Sequence, residues 1–204
     1  MAELRHDLIL ASGSSARRAL LTSAGLKFDV IPADIDERAV KDAVRSRDKN
    51  TTPAQIAAHL AAEKARAVSL QHPRALVLGA DQVLAFEGGI QSKVADVKAA
   101  HDVLAALRGK THELVSAAAL ARRGEIVWQT CERAKLSMRN FSDSFLEAYL
   151  VEAGAGILDC VGCYKLEGLG VQLFDKIEGD YFTILGLPLV GLLGALRREG
   201  VVAS

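Results

Sequence analysis

A short apolar run, broken by small polar residues and followed by a helical pattern, most constrains how this chain begins. Leu8 to Ala11 is a run typical of a buried strand, and a Ser/Gly cluster at 12–15 ends it. Apolar residues then recur at helical spacing between Ala19 and Ala24. The pattern therefore predicts a strand, a turn and a helix in that order.

The turn itself has the character of an anion site. Ser14 or Ser15 can cap the helix, whose first N–H groups carry a partial positive charge. Arg17 and Arg18 lie in the first turn, where cations oppose the helix dipole unless an anion is bound in front of them. This combination slightly favours a phosphate site. The alternative is a capped surface helix with two solvated arginines.

The composition limits the class of protein. The chain has 204 residues, 50% of them hydrophobic, which is enough for one domain or for two lobes that share a core. Its 25 basic and 25 acidic side chains balance, which argues against nucleic-acid or membrane partners. Three cysteines make no disulfide framework, the segment from Met1 to Asp7 is polar, and the apolar run from Ile184 to Leu196 is too short to span a bilayer. We expect a soluble, cytoplasmic protein.

A second informative stretch runs from Ala75 to Leu84. It is nearly continuously apolar, as is typical of a central strand covered on both faces. It ends in a Gly-Ala-Asp-Gln segment, which places the carboxylate of Asp81 at a strand terminus among small neighbours, and strand ends of open α/β sheets are where ligands and catalytic groups tend to lie. An aspartate in this position is a turn residue at least as often as a catalyst.

Two further charged features have both a structural and a functional interpretation. Three acids at 34, 36 and 37 form either a solvated turn or, beside phosphates, ligands for Mg²⁺. The charged stretch from Val40 to Asn50 is interpreted as a loop or a frayed helix. Lys64 lies close to the apolar stripe of a helix that begins at Pro53, so its ammonium either extends to the surface or points into a cleft.

The remaining pattern predicts a chain of alternating strands and helices without an internal repeat. Expected strands cover 28–32, 112–120, 126–128, 130–140 and 171–177, and expected helices cover 96–107, 142–153 and 189–198.

Several common chemistries are not indicated. Cys160 and Cys163 have redox spacing but lack the strand–helix context of a thioredoxin motif. The five histidines have no zinc-ligand spacing. No Gly-x-Ser-x-Gly, Gly-x-Gly-x-x-Gly or Walker A motif is present, which argues against serine hydrolases, dinucleotide enzymes and P-loop proteins.

An ordered set of motifs nevertheless resembles one family, the Maf-like nucleoside triphosphate pyrophosphatases. The motifs are Leu-Ile-Leu-Ala-Ser-Gly-Ser-x-x-Arg (8–17), Ile-Pro-Ala-Asp-Ile-Asp-Glu (31–37), Ala-Glu-Lys-Ala-Arg-Ala (62–67), Leu-Gly-Ala-Asp-Gln-Val (78–83), Lys93, Glu-Gly-Leu-Gly (167–170), Ile-Glu-Gly-Asp-Tyr (177–181) and Gly-Leu-Pro-Leu (186–189). The resemblance extends from the first strand to the last helix.

The resemblance implies an elongated, mixed-sheet α/β fold of two lobes around a central cleft, formed by a single domain over 1–204. That fold would be related to inosine-triphosphate pyrophosphatases, and the protein would be a homodimer. The implied reaction cleaves a nucleoside triphosphate between the α and β phosphates and requires a divalent cation, Mg²⁺ or Mn²⁺.

The resemblance also assigns roles to individual residues. Phosphate contacts are implied for Ser12, Arg17, Lys64 and Lys93, and the local pattern of the first turn adds Ser14 and Arg18. Glu37 and Asp81 would serve the metal and the attacking water, with Asp81 as the general base. Such chemistry needs fixed positive charge beside the phosphoryl oxygens and a carboxylate beside the water.

Two positions bear on the base of the nucleotide. Gln82 and Glu167, with Arg-Arg-Ala-Leu-Leu (17–21) and Leu-Arg-Arg-Glu-Gly (196–200), are similar to the branch that acts on 7-methyl-GTP. A carboxylate suits the positively charged 7-methylguanine. The segments 109–112 and 179–181 are closer to the dTTP/UTP branch, and Ser15, Ala16 and the neighbours of Lys93 depart from the family pattern.

The first alternative is therefore a dTTP/UTP pyrophosphatase. An alternative of a different class is a non-catalytic regulator of septum formation and cell division that acts through binding. A nucleotide-binding sensor with slow chemistry is a third.

Overall fold

The structure, a computed structural model, describes residues 7–203 and has the mixed α/β architecture that was predicted. The polar segment before Asp7 lies outside the described residues. No helix of residues 7–203 is long and apolar enough to cross a membrane. The regular elements are β1 (Leu8–Leu10), α1 (Ser15–Ser23), β2 (Asp29–Val30), α2 (Glu37–Arg47), α3 (Pro53–Gln71), β3 (Leu76–Phe86), β4 (Gly89–Gln91), α4 (Val97–Leu107), β5 (Thr111–Arg122), β6 (Glu125–Met138), α5 (Asp143–Ala153), β7 (Phe174–Glu178), α6 (Tyr181–Ile184) and α7 (Leu189–Arg198).

The strands form one mixed sheet in the order β2-β1-β3-β5-β6-β7, with β4 beside β3. The strand β1 is parallel to β2 and β3, and the strands from β3 to β7 pair antiparallel. On one edge, β3 pairs with β1 over 76–78 and with β4 over 84–86. The intervening residues 79–83 therefore have no strand beside them on that edge, and this gap leaves the middle of the central strand unpaired there. The expectation that Asp81 ends its strand was wrong, because β3 continues to Phe86 and pairs there with β4, so Asp81 lies in the middle of the strand, in the gap.

Helices cover both faces of the sheet. Ile56 and Leu60 of α3 pack on one face against Val83 and Val115. The opposite face is covered at one end by α1 and α7 and at the other by α4 and α5. Since side chains alternate along a strand, Asp81 faces α3, whereas Gln82 faces the other side. Two successive residues in the gap thus contact different parts of the protein.

The predicted helix starts are confirmed by side-chain caps. The hydroxyl of Ser14 accepts from the N–H of Arg17, which decides between the two candidate serines, because Ser15 is already helical. Thr52 and Gln55 form a reciprocal capping box at α3. Asp96 and Ser142 cap α4 and α5.

The interpretation of the charged stretch from Val40 to Asn50 as a loop or a frayed helix was wrong up to Arg47, where α2 ends, whereas residues 48–50 lie outside any helix. Residues 37–47 form a regular helix, and Asp36 caps it by accepting from the N–H of Ala39 at 2.9 Å. Val40 and Val44 pack against the α3 face. Because tertiary packing adds to the cap, the high charge of the other residues does not prevent helix formation.

Two strand predictions were also wrong in detail. The two strands expected over 126–128 and 130–140 are one long strand, β6, which ends at Met138, because β5 pairs with it almost continuously and the ladder absorbs a bulge between Leu120 and Ala121. The expected strand over 171–177 is divided into a 3₁₀ turn, Leu169–Leu173, and the short strand β7.

Candidate active site

Arg17 connects three segments of the chain at the gap in the sheet edge. Its Nε donates to the carbonyl of Gly186 at 2.8 Å, and its Nη1 donates to the carbonyl of Ala80 and to the hydroxyl of Ser12, both at 3.0 Å. The side chain is buried, and Nη2 has no hydrogen-bond partner among residues 7–203. Three of the five N–H groups thus fix the guanidinium, and the remaining edge is available to a ligand.

The two predicted serines organise the turn in front of this guanidinium. The hydroxyl of Ser12 accepts from the backbone N–H of Ser14 at 3.3 Å as well as from Arg17. The structure does not bring Arg18 into this group, because Arg18 is exposed on the helix surface. The two adjacent arginines therefore have different surroundings, and a phosphate contact by Arg18 stays a prediction.

Lys64 lies between two carboxylates. Its Nζ is 2.7 Å from Oδ1 of Asp81 and 2.7 Å from Oε1 of Glu37, and only 12% of its side chain is exposed. Of the two interpretations of this lysine, the structure therefore agrees with the one in which the ammonium is directed inward. Asp81 is buried, and its second oxygen, Oδ2, accepts no hydrogen bond from residues 7–203.

The close approach of α3 to β3 depends on Gly79. A Cβ at this position would lie 2.1 Å from the carbonyl oxygen of Ala61 and 2.6 Å from the backbone nitrogen of Ala65. Only glycine permits this separation, which places Lys64 of α3 within reach of Asp81, two residues further along β3. This packing role of Gly79 was not predicted from the sequence, although an isolated glycine in a strand is a signal for close backbone approach.

The charges of Arg17, Lys64, Glu37 and Asp81 compensate one another. Burial lowers the pKa of the Arg17 guanidinium, while the charges of Asp81 and Glu37 raise it. Burial raises the pKa of the Glu37 carboxyl, but the hydrogen bond and charge of Lys64, with smaller effects of Lys41 and Lys93, bring it below its usual value. Two cations and two carboxylates therefore compensate one another, and Glu37 is ionised at neutral pH.

Gln82 fixes the segment that closes the other side of the gap. Its Nε2 donates to the carbonyls of Thr183 (3.1 Å) and Ile184 (2.9 Å) and to the hydroxyl of Ser116 (3.0 Å). Ser116 in turn donates to the carbonyl of Thr183 at 2.7 Å. These bonds hold α6 and the following Gly186 against the sheet, so the amide nitrogen of Gln82 serves the protein itself.

Ser116 and Thr183 were not identified from the sequence. Ser116 is a single hydroxyl in an otherwise apolar part of β5, which is the one sequence signal that could have indicated a buried hydrogen bond. Thr183 is buried, and its hydroxyl donates to Glu132 or Asp180, both at 3.0 Å. Both residues support Gln82 and α6.

An open pocket adjoins Gln82. Glu167, Lys165 and Cys160 line it, together with Ala16 at the start of α1. Burial raises the pKa of the Cys160 thiol, and among the charges that act on it are those of Lys165, Glu167 and Lys93. The structure thus brings Gln82 and Glu167 to one pocket and places the exposed Lys93 within electrostatic reach of both Glu37 and the pocket.

The donors for a metal ion are limited to two carboxylates. No group of three or more His, Cys, Asp or Glu side chains among residues 7–203 could hold a metal. The two carboxylate oxygens that contact Lys64, one from Glu37 and one from Asp81, already converge on one positive centre. A hard cation that takes one or two carboxylates completes its shell with water and substrate phosphates, so this donor set fits Mg²⁺ or Mn²⁺ together with a polyphosphate.

Comparison with known proteins identifies the family. The model of the Maf-like protein family matches residues 7–199. A nucleoside triphosphate pyrophosphatase of Paramagnetospirillum magneticum is 50% identical over 192 residues, 94% of this chain and 98% of that protein. One of Rhodopseudomonas palustris (strain BisB18) is 51% identical over 97% of this chain and 96% of that protein.

A relative with a more specific name is similar to the same extent. The 7-methyl-GTP pyrophosphatase of Mesorhizobium japonicum is 46% identical over 199 residues, 98% of this chain and 99% of that protein. With relatives of this identity over nearly the whole length, and with the family model matching from Asp7 to Glu199, the chain belongs to the family of Maf-like proteins.

Proposed function

We propose that this protein is a nucleoside triphosphate pyrophosphatase that cleaves the bond between the α and β phosphates and releases a monophosphate and pyrophosphate. The observation that carries the proposal is the joining of Asp81, Lys64 and Glu37 beside the free guanidinium edge of Arg17. Support also comes from the relatives, which are named for this activity.

The cations have the properties that phosphoryl transfer requires. Charge builds on the phosphoryl oxygens in the transition state, and fixed positive groups stabilise it. Arg17 is held by three hydrogen bonds and offers Nη2, and Ser12 and Ser14 shape the turn beside it. Lys64 and Lys93 supply two more positive charges, and Arg18 a further one at the surface. We assign the triphosphate to the gap between them.

Asp81 is the group best placed to activate water. Its Oδ1 accepts from Lys64 in this structure and is directed, with Glu37, toward a positive centre, whereas Oδ2 accepts no hydrogen bond from residues 7–203 and is the oxygen left to accept a proton. The water oxygen forms a new bond to the α phosphorus, the bond to the bridging oxygen breaks, and pyrophosphate leaves with the electron pair. The proton of the water passes to Asp81. A bound Mg²⁺ or Mn²⁺, held by Glu37 and Asp81, would supply positive charge to the phosphate oxygens.

For the base, we propose 7-methylguanine in the pocket lined by Gln82 and Glu167. The amide nitrogen of Gln82 is used by the protein, so only its carbonyl oxygen is available to a base, and Glu167 adds a carboxylate. Two acceptors suit the N–H groups and the positive charge of 7-methylguanine. The dTTP/UTP alternative is kept because segments 109–112 and 179–181 favour it.

The test is product analysis with Mg²⁺ or Mn²⁺ and 7-methyl-GTP, GTP, dTTP, UTP and CTP. The proposal expects pyrophosphate and a monophosphate in equal amounts, with 7-methyl-GTP preferred over GTP. A preference for dTTP or UTP would contradict the base assignment alone. No pyrophosphate from any nucleotide would contradict the activity and favour a binding protein. The homodimer and cytoplasmic location implied by the resemblance stay predictions.

A further inference from the structure

The position of Lys64 is unusual for a residue expected to contact phosphate. Its ammonium is 2.7 Å from each of the two carboxylates that would hold the divalent cation, and it is largely buried there. An ammonium and a metal ion cannot occupy the same position between two carboxylate oxygens. In this structure, Lys64 therefore provides the positive charge to which Glu37 and Asp81 are directed.

The charge balance strengthens this observation. Arg17 and Lys64 are compensated by Glu37 and Asp81, so a free divalent cation that entered this group would find no net negative charge. It would also lie beside an ammonium, and like charges at such short range repel one another strongly in a protein. A triphosphate reverses this balance, because its oxygens attract Lys64 and leave both carboxylates to the cation.

We propose that Lys64 is an internal counter-ion that keeps divalent cations off Glu37 and Asp81 until a polyphosphate attracts its ammonium away. Metal and nucleotide then bind with strong positive coupling, and the cation enters together with the triphosphate. The inference rests on the proposed function for the identity of the nucleotide. The exclusion of metal from the nucleotide-free protein depends only on Lys64 and the two carboxylates.

The chain contains a matched control lysine. Lys41 also lies near Glu37, with its Nζ 4.0 Å from Oε2, but it does not contact Asp81, and 26% of its side chain is exposed. Removal of either lysine lowers the local positive charge by one. Only removal of Lys64 vacates the position between the two carboxylates, so the difference between the two variants isolates the bridging contact.

The experiment is a titration of nucleotide-free protein with Mn²⁺ alone, followed by electron paramagnetic resonance of the free ion. We expect Lys64→Met and Lys64→Gln to bind Mn²⁺ about tenfold or more tightly than wild type, and Lys41→Met to stay within about twofold of it. In the presence of a non-hydrolysable α,β-methylene analogue of GTP, the gain in Mn²⁺ affinity should be larger for wild type than for the Lys64 variants. Circular dichroism confirms that each variant is folded.

Equal Mn²⁺ affinity of wild type and both Lys64 variants would overturn the inference, as would an equal gain in Lys41→Met. The result is independent of turnover. If wild type releases pyrophosphate while the Lys64 variants bind Mn²⁺ no better, the inference fails and the proposed function stands. If no nucleotide is hydrolysed but the Lys64 variants bind Mn²⁺ more tightly, the proposed function fails and the counter-ion role is supported.

Discussion

Replacement of Arg17 by lysine should damage the protein although it conserves the charge. The guanidinium donates to two backbone carbonyls and one hydroxyl on three separate segments. Lysine has a single ammonium without the planar fork, so it can retain about one of these bonds. A hydrogen bond from a charged donor contributes about 1.5–3 kcal/mol, so with two of the three bonds lost we expect the free energy of unfolding to fall by about 3–6 kcal/mol.

The assay is urea unfolding followed by circular dichroism, with Arg18→Lys as the matched control. Arg18 is the adjacent arginine, but it is exposed, and its substitution should change the free energy of unfolding by less than about 0.5 kcal/mol. Under conditions where wild type and Arg17→Lys are both folded, Arg17→Lys should also lower kcat by about a hundredfold, because the N–H donors of the guanidinium are no longer fixed beside the phosphates. Wild-type stability and turnover in Arg17→Lys would refute this account of the site.

Two further predictions concern the framework of the site. In Gly79→Ala, the new Cβ would meet backbone atoms of α3 at 2.1 and 2.6 Å, so the free energy of unfolding should fall by about 3 kcal/mol or more. In the control Gly89→Ala, where the nearest atom would be 3.6 Å away, urea unfolding should show only a small decrease in that free energy. Burial lowers the pKa of His112 to about 4, so the unfolded chain takes up the proton first as the pH falls. Stability should be complete above about pH 6.5 and decrease by at most about 3 kcal/mol towards pH 4, and His112→Gln should lose this dependence in urea titrations at each pH.

Local signals predicted the first part of the site well. The cap at Ser14, the helix that follows it and the strand that carries Asp81 are all encoded within a few neighbouring residues, so their pattern is visible in the sequence. The family motifs then predicted which distant side chains share the site. The structure brings Ser12, Arg17, Lys64 and Asp81 to one gap, and their roles toward phosphate, metal and water stay predictions.

Other features depend on contacts between distant parts of the chain. Glu37 lies at the start of a helix whose apolar residues are few, and the packing of α2 on α3 stabilises that helix. Whether Lys64 points inward depends on the separation of α3 and β3, which Gly79 sets. Gln82 holds residues that lie about one hundred positions later, so its use by the protein itself could not be read from its neighbours.

The most direct test of the central claim is the rate of pyrophosphate release by Asp81→Asn, measured with excess enzyme in a single turnover. The amide keeps the size of the side chain but cannot accept the proton, and general-base catalysis contributes about 10²–10⁴-fold. The account predicts a folded variant whose rate is lower by about a thousandfold. A rate within tenfold of wild type would show that Asp81 is not the base and that the water is activated elsewhere.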